Sequence, residues 1–486
     1  MSPIVLSVTI VAYFAILFTI SYIAGHKADN EGFFVGNHKS AWYIVAFAMI
    51  GSTISGVTFV SVPGMVQASS FSYLQMVLGF IVGQIIIAFV LVPLFYRMNL
   101  VSIYEYLENR FGSSSYKTGA WFFFISKMLG AAVRLFLVCL TLQLLIFEPF
   151  HLPFLLNVIL TVFIVWLYTF RGGVKSLIWT DVLKTFCLVV SVVLCIYYIA
   201  SSLHLNFNSL VTTLSDSDFS KTFFFNDVND KRYFFKQFLA GVFTVIAMNG
   251  LDQDMMQRNL SCKNFRDSQK NMITSGISQF FVILLFLMLG VLLYTFTAQQ
   301  GIKNPDKSDE IATGNYFPGI VGILFIIGLI ASAYSAAGSA LTALTTSFTV
   351  DILNAQKKGE AALSKIRKHV HIGMAIVMGI IIFVFNLLNN TSVIDAIYTL
   401  ASYTYGPILG LFAFGIFTKK QIYDKYIPPI AIASPVLCYI LQRNSEAWFN
   451  GYQISYELLL FNAAFTFTGL CFLIRKKSTI NNTTAL

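Results

Sequence analysis

Charge is what this sequence has least of. Only 11% of its 486 residues are Asp, Glu, Lys or Arg, against 57% hydrophobic residues and 48 phenylalanines. No single core could hide so much apolar side chain under so little charge, so the solvent is lipid and a soluble domain is excluded. Cysteine and histidine are scarce as well, at six each. Cys139, Cys187, Cys195, Cys262, Cys438 and Cys471 show no metal-ligand spacing and read as free structural thiols. The histidines, His26, His38, His151, His204, His369 and His371, are expected in or beside loops. No metal cluster and no Ser/His/Asp set is in view, so an enzyme and a catalytic cofactor are both disfavoured. The first apolar stretch has no basic residues before it and no small-residue cleavage site after it. It reads as a retained helix and not as a cleaved leader.

Long hydrophobic runs are what is present. A spanning helix needs roughly 20 mostly apolar residues, and about thirteen stretches qualify: near 3–24, 42–67, 72–96, 117–147, 152–170, 177–203, 233–257, 271–298, 317–349, 370–388, 392–418, 424–441 and 455–474. With the N-terminus outside and the C-terminus inside, the inner loops collect roughly 21 Lys/Arg and the outer loops about six. The net charge of +10 is thus a topology signal and needs no nucleic acid to explain it. The expected fold is all-α: a multi-pass protein of a bacterial-type inner membrane, with the longest outer loop near 204–232.

Five stretches depart from plain lipid-facing helix. The second runs Gly51-Ser52-Thr53-Ile54-Ser55-Gly56-Val57-Thr58 and then Pro63-Gly64. Small and hydroxyl residues at mid-membrane depth favour unwinding, and broken helices there hold substrates and ions in secondary transporters. Close packing through small residues is the alternative. The seventh carries Asn249-Gly250-Leu251-Asp252-Gln253 and ends in Gln257-Arg258, expected at the inner surface. It is a second candidate break, and each break opens a group of five helices, the layout of an inverted repeat. The core repeats would then be 41–203 and 233–418, flanked by accessory segments 1–40 and 419–486.

The ninth stretch has Ser332, Ser335, Ser339, Thr342, Thr346 and Thr349 at steps of 3, 4, 3, 4 and 3, six hydroxyls on one face. They suit an alkali cation, or interhelical hydrogen bonding. The sixth holds Asp181 and Lys184. Intramembrane charges default to function, with an i, i+3 ion pair and a lysine snorkelling inward as the structural reading. The fourth has Lys127 and Arg134 seven residues apart. A guanidinium at mid-span wants a bidentate partner, either a buried carboxylate or an anionic solute.

At these same segments the chain resembles the sodium/solute symporter family. The resemblance rests on Asp29 to Gly36 (DNEGFFVG), Tyr104 to Phe111 (YEYLENRF), Tyr168 to Ser176 (YTFRGGVKS) with Trp179-Thr180-Asp181, Asp252-Gln253 with Gln257-Arg258, and Gly406 to Phe412 (GPILGLF). Several motifs in order are far more specific than any one. The resemblance implies the leucine-transporter fold, a five-plus-five inverted repeat with extra helices at both ends. It implies alternating-access symport with Na+ as coupling ion, and a sodium site carried onto Gly51, Ile54, Ser332, Ser335 and position 336. Two positions depart from the family pattern: Ala336 stands where the family has a hydroxyl, and Lys184 where it has glutamine. Together they keep a proton-coupled or ion-independent transporter open. A second sodium site would fall on Asp181, Ser335, Gly338 and Ser339, and Gly338 lacks the oxygen. Arg134 resembles the helix 4 arginine of the sialic-acid branch, after a short insertion.

The expected solute is small, polar and organic, an acidic sugar or carboxylate before a neutral hexose, held between the second, fourth, seventh and eleventh stretches. Candidate contacts are Thr53, Ser55, Thr58, Tyr73, Gln75, Arg134, Asn249 and Asp252, with Asp181, Lys184 and Ser339 on the ion side. A solute sensor is the rival from another class, disfavoured because no signalling domain follows the last stretch. The expected partners are a small solute and the bilayer, with no obligate protein.

Overall fold

The computed structural model describes residues 3–25, 30–54, 56–170, 173–300, 319–388, 393–454 and 456–475. Each apolar stretch expected from the sequence falls on helix, and the labels follow that order: α1 (Pro3–Gly25), α2a (Trp42–Thr53) and α2b (Gly56–Gly64), α3 (Tyr73–Ile86, continued through a π turn to Met98), α4 (Ser113–Leu142), α5 (Phe154–Thr169), α6 (Gly173–Ser202), α7a (Phe234–Val245) and α7b (Gln253–Asn259), α8 (Phe265–Gln300), α9 (Gly319–Ser347), α10 (Glu360–Leu388), α11 (Val393–Phe417), α12 (Ile427–Trp448) and α13 (Leu458–Phe472). The all-α expectation holds. Among the described residues eight helices are long and apolar enough to cross a membrane, or nine if α7a and α7b form one span, and α2a, α5 and α13 are shorter apolar helices. Length and hydropathy therefore do not reach the expected count of thirteen. This is a multi-pass membrane protein.

Both expected breaks are present. In α2 the Ile54 N–H still bonds the Ile50 carbonyl at 3.0 Å, but Ile54 itself is extended at φ −88°, ψ 97°. In α7 the chain leaves a π turn at Ile246–Gly250, passes through Leu251 and an extended Asp252 (φ −106°, ψ 121°), and restarts as α7b at 71° to α7a. The restart is explained by Asp252, whose carboxylate accepts from the N–H groups of Asp254 (2.8 Å) and Met255 (3.3 Å) and so caps a seven-residue helix. Breaks of this kind free backbone polar groups, which survive at membrane depth only where protein or a cavity satisfies them.

Packing around the breaks is tight because small residues line it. The α3 and α7a backbones meet at Gly79 and Gly241, where a Cβ on either would overlap a carbonyl oxygen of the other helix, Phe238 and Met76 respectively. α6 lies along α9, with α2a and α8 alongside, and α4 contacts both α9 and α11. The broken segments are thereby enclosed between α3, α4, α6, α8, α9 and α11.

Candidate substrate and ion site

Between these helices lies a cavity of about 120 Å³, walled by both broken helices, α3, α4, α8 and α11. Of the expected contacts, Thr53, Thr58, Tyr73, Arg134, Asn249 and Asp252 all line it. Ser55 lies outside the described residues. Gln75 is a correction: fully buried, it donates to the Arg232 carbonyl (2.8 Å) and accepts from the Phe224 N–H (3.1 Å), pinning the loop near 204–232 instead of facing the cavity. Two positions past Tyr73, Gln75 points to the other side of α3, where the loop folds back over the end of the helix and claims it.

Arg134 reaches the cavity from α4, and its Nε has no hydrogen-bond partner among the described residues. One helical face brings Lys127 alongside, but Lys127 is fully engaged. Its Nζ lies 2.7 Å from Asp254 Oδ2 and 3.1 Å from Asp252 Oδ2. Asp252 Oδ2 also accepts from the Tyr405 hydroxyl on α11, and Ser126 accepts from Thr404 at 2.7 Å, so α4, α7 and α11 are tied together on the cavity floor.

From Asp254 the charges continue inward. Arg258 Nη2 sits 3.0 Å from Asp181 Oδ2 and 3.7 Å from Asp254 Oδ1, and Lys184 Nζ is 3.3 Å from Asp181 Oδ1. Three carboxylates, Asp181, Asp252 and Asp254, thus alternate with three cations, Lys127, Lys184 and Arg258, all buried. Burial of an ion is costly, and only neighbours of opposite charge in good geometry offset it. The expected Asp181–Lys184 pair is present. The expected snorkelling is not: Lys184 is completely buried, 4.3 Å over the Tyr168 ring and 3.5 Å from the Tyr334 carbonyl. Arg258, expected at the inner surface, is 1% exposed. Arg258 is buried because the 71° bend carries α7b under α6 and α9 instead of out to water, and Lys184 because α5 and α9 close over it through Tyr168 and Tyr334.

The hydroxyl stripe of α9 is mostly turned on its own helix. Ser332 donates to Leu329 O (2.9 Å), Thr342 to Gly338 O (3.1 Å) and Thr346 to Thr342 O (3.0 Å), while Ser339 donates to Asp254 Oδ2 at 3.0 Å. Thr346 also accepts from Gln257 at 2.9 Å. The Ser335 side chain lies outside the described residues. Backbone bonding by these hydroxyls is what lipid-embedded Ser and Thr do when nothing else claims them. At the proposed second ion site, Asp181 is already held by Arg258, Lys184 and Ser52 (3.3 Å), and a side chain on Gly338 would overlap the Tyr168 hydroxyl. Asp181 is thereby committed to its present partners. At the first site Ala336 is buried and brings no oxygen.

Sequence reasoning missed Asp254 and Tyr405, and it missed His371. The last is buried in α10, with its ring nitrogens 2.9 Å from Thr169 Oγ1 and 2.8 Å from Thr345 Oγ1, not in a loop. A signal for Asp254 was present: three ionisable residues, Asp252, Asp254 and Arg258, follow an apolar run within seven positions, a density that lipid tolerates only in pairs.

A broken-helix cavity beside a buried ion network is the arrangement of secondary transporters, and comparison with known proteins agrees. The model of the sodium:solute symporter family matches residues 33–423. The chain belongs to that family. It is a transporter and not an enzyme. It is 25% identical over 447 residues to the sodium/sialic acid symporter NanT of Aliivibrio fischeri, covering 85% of this chain and 83% of that one. It is 24% identical over 412 residues to the human sodium/iodide cotransporter, covering 81% of this chain and 62% of the relative. Among solved structures, a substrate-bound outward-open Na+-coupled sialic acid symporter superposes with a TM-score of 0.82 at 19% identity, over 97% of this chain and 98% of that chain. The leucine-transporter-like fold expected from the resemblance stands on that match.

Proposed function

We propose that this protein is a sodium-coupled symporter of a small organic anion, an acidic sugar or a carboxylate, seated between α2, α4, α7 and α11. One observation carries the reading. Arg134 presents a guanidinium edge to the cavity, while the cavity's own carboxylate, Asp252, and its neighbour Asp254 are both engaged by Lys127. A half-buried guanidinium lacks its natural partner there, and a planar carboxylate supplies two acceptors in matching geometry. Thr53, Thr58 and Asn249 offer hydroxyl and amide groups to a polyol, and Ile54, Met248 and Ile283 an apolar side. Relatives named for sialic acid, iodide and monocarboxylates all carry anions, which supports the sign of the charge and leaves the identity of the solute to Arg134's neighbours.

For the coupling ion, sodium is supported by the names of those relatives and by the extended Ile54, which places the carbonyls of Gly51 and Ile54 at a helix break. Ser332 and Ser335 would complete a site, one hydroxyl short because of Ala336. A second reading, coupling to protons or to no ion, is favoured by Lys184, whose ammonium is wholly buried between Asp181, Tyr168 and Tyr334 where family members have a neutral residue. The N-terminus outside, the C-terminus inside, a bacterial-type inner membrane and the two-repeat division at 41–203 and 233–418 complete the proposal. The test is uptake into proteoliposomes of a panel of carboxylates, acidic sugars and neutral sugars, under an inward Na+, K+ or proton gradient. Accumulation of an anionic solute that requires Na+ is expected. Accumulation of neutral sugars alone overturns the substrate class, and uptake that follows the proton gradient and ignores Na+ overturns the ion.

A further inference from the structure

A second cavity lies far from the charge network, between α5 and α10, and it is apolar throughout. Its α10 wall is Ile372, Ala375, Ile376, Gly379, Ile380 and Phe383, a single helical face at i, i+3 and i+4 steps, facing Val162 and Trp166 of α5. Ile376 and Ile380 are each 58% exposed, so the groove opens to the bilayer. Its rotation is fixed from behind: His371 is locked between Thr169 of α5 and Thr345 of α9, which turns the next residue, Ile372, outward. At 1.5 Å per residue the groove runs about 17 Å along α10, half a bilayer.

One observation at one end says what fills it. The same helical face continues from Ile372 back to Lys368 and Lys365, at i−4 and i−7, and both lysines are exposed. Cationic groups at the mouth of an apolar trough match an anionic headgroup above an acyl chain, since basic residues flanking spanning helices draw anionic lipid. We propose that the α5–α10 groove is a binding site for one anionic phospholipid, its acyl chain along Gly379 and its phosphate at Lys365 and Lys368.

Gly379 provides the test. A Cβ there would meet only Val162 at 3.8 Å and Val158 at 4.0 Å, ordinary contacts, so a side chain can start from this position, and Gly379→Leu is chosen to fill the trough. The full-length detergent-purified protein would be titrated with dioleoylphosphatidylglycerol and with dioleoylphosphatidylcholine and read by native mass spectrometry. The unmodified protein should retain the anionic lipid in preference to the neutral one. Removing the two lysines, Lys365→Gln with Lys368→Gln, should cost roughly 30-fold of that preference, at about fivefold per lysine. These exposed sites do not threaten folding. Gly379→Leu should lose both lipids, with folding checked by an unchanged melting profile of the lipid-free protein. Equal retention of the two lipids by the unmodified protein overturns the proposal. So does undiminished anionic-lipid retention in Gly379→Leu, or a dimer that only Gly379→Leu dissolves, which would give the groove to a second copy.

Discussion

The Lys127 ammonium lies 2.7 Å from Asp254 and 3.1 Å from Asp252, so one cation on α4 bridges the N-cap of α7b and the body of that helix. Removing it leaves two buried carboxylates without their shared cation, Asp254 keeping Arg258 at 3.7 Å. Breaking such a pair costs about 3–5 kcal/mol. Lys127→Met should lower stability by that order in detergent, and Lys127→Met with Asp254→Asn should lose less than the sum of the two single variants, because one change relieves the charge the other strands. Denaturation curves of the four proteins decide it, and strict additivity would show that the contact carries no coupling.

Arg134 is expected to set affinity for the anionic solute. Truncating one partner of a desolvated charge pair costs about 2–5 kcal/mol, so Arg134→Gln should raise the apparent KM for a transported carboxylate by at least tenfold. Arg134→Lys keeps the charge but not the planar fork and should fall between. A neutral amide analogue of the same solute should be nearly indifferent to both changes. If the amide loses as much as the acid, Arg134 supports the fold instead of the solute.

Lys184 and Ala336 bear on the ion. Lys184→Gln with Ala336→Ser removes a buried ammonium and restores a hydroxyl, and it is expected to steepen the dependence of uptake on sodium. Two like charges a few ångströms apart repel by several kcal/mol at an effective dielectric near 20, so the lysine alone accounts for most of the change. Uptake by the unmodified protein that already vanishes without sodium and is blind to pH would sink the idea.

A pH effect should arise outside the membrane core. Glu105 sits in the short helix Glu105–Arg110 between α3 and α4, where burial, and then the charge of Asp351, pushes its carboxyl up to about 7. The folded protein therefore keeps a proton that the unfolded chain gives up near pH 4.5. The folded state's advantage is full below that value and declines as pH rises toward 7, after which it is flat. Glu105→Gln should flatten the melting temperature between pH 5 and 7, and a slope that persists in the variant would assign it elsewhere.

The helices and both breaks were legible because lipid imposes a one-dimensional rule: apolar length marks a span, and glycine, hydroxyl and charge mark departures from it. Arg134 and Asp252 were legible on the same ground. Arg258 was not. At the end of an apolar run, with Lys263 and Arg266 beyond it, it reads as a surface residue, and only a 71° bend buries it. Gln75 failed in the opposite sense, because its partners are backbone groups of a loop some 150 residues away in sequence. Local pattern reports which residues need a partner. It does not report which partner the fold delivers.

The alternation of Asp252, Lys127, Asp254, Arg258, Asp181 and Lys184 has a consequence for voltage. Three negative and three positive groups sum to zero, so this buried chain offers the membrane potential no net charge where it moves as one body. What the field can act on is Arg134. With the cavity empty that charge contributes about 2.3 kcal/mol per 100 mV if it crosses the full drop. With a carboxylate seated on it the contribution disappears, and the potential then works on whatever cation travels alongside.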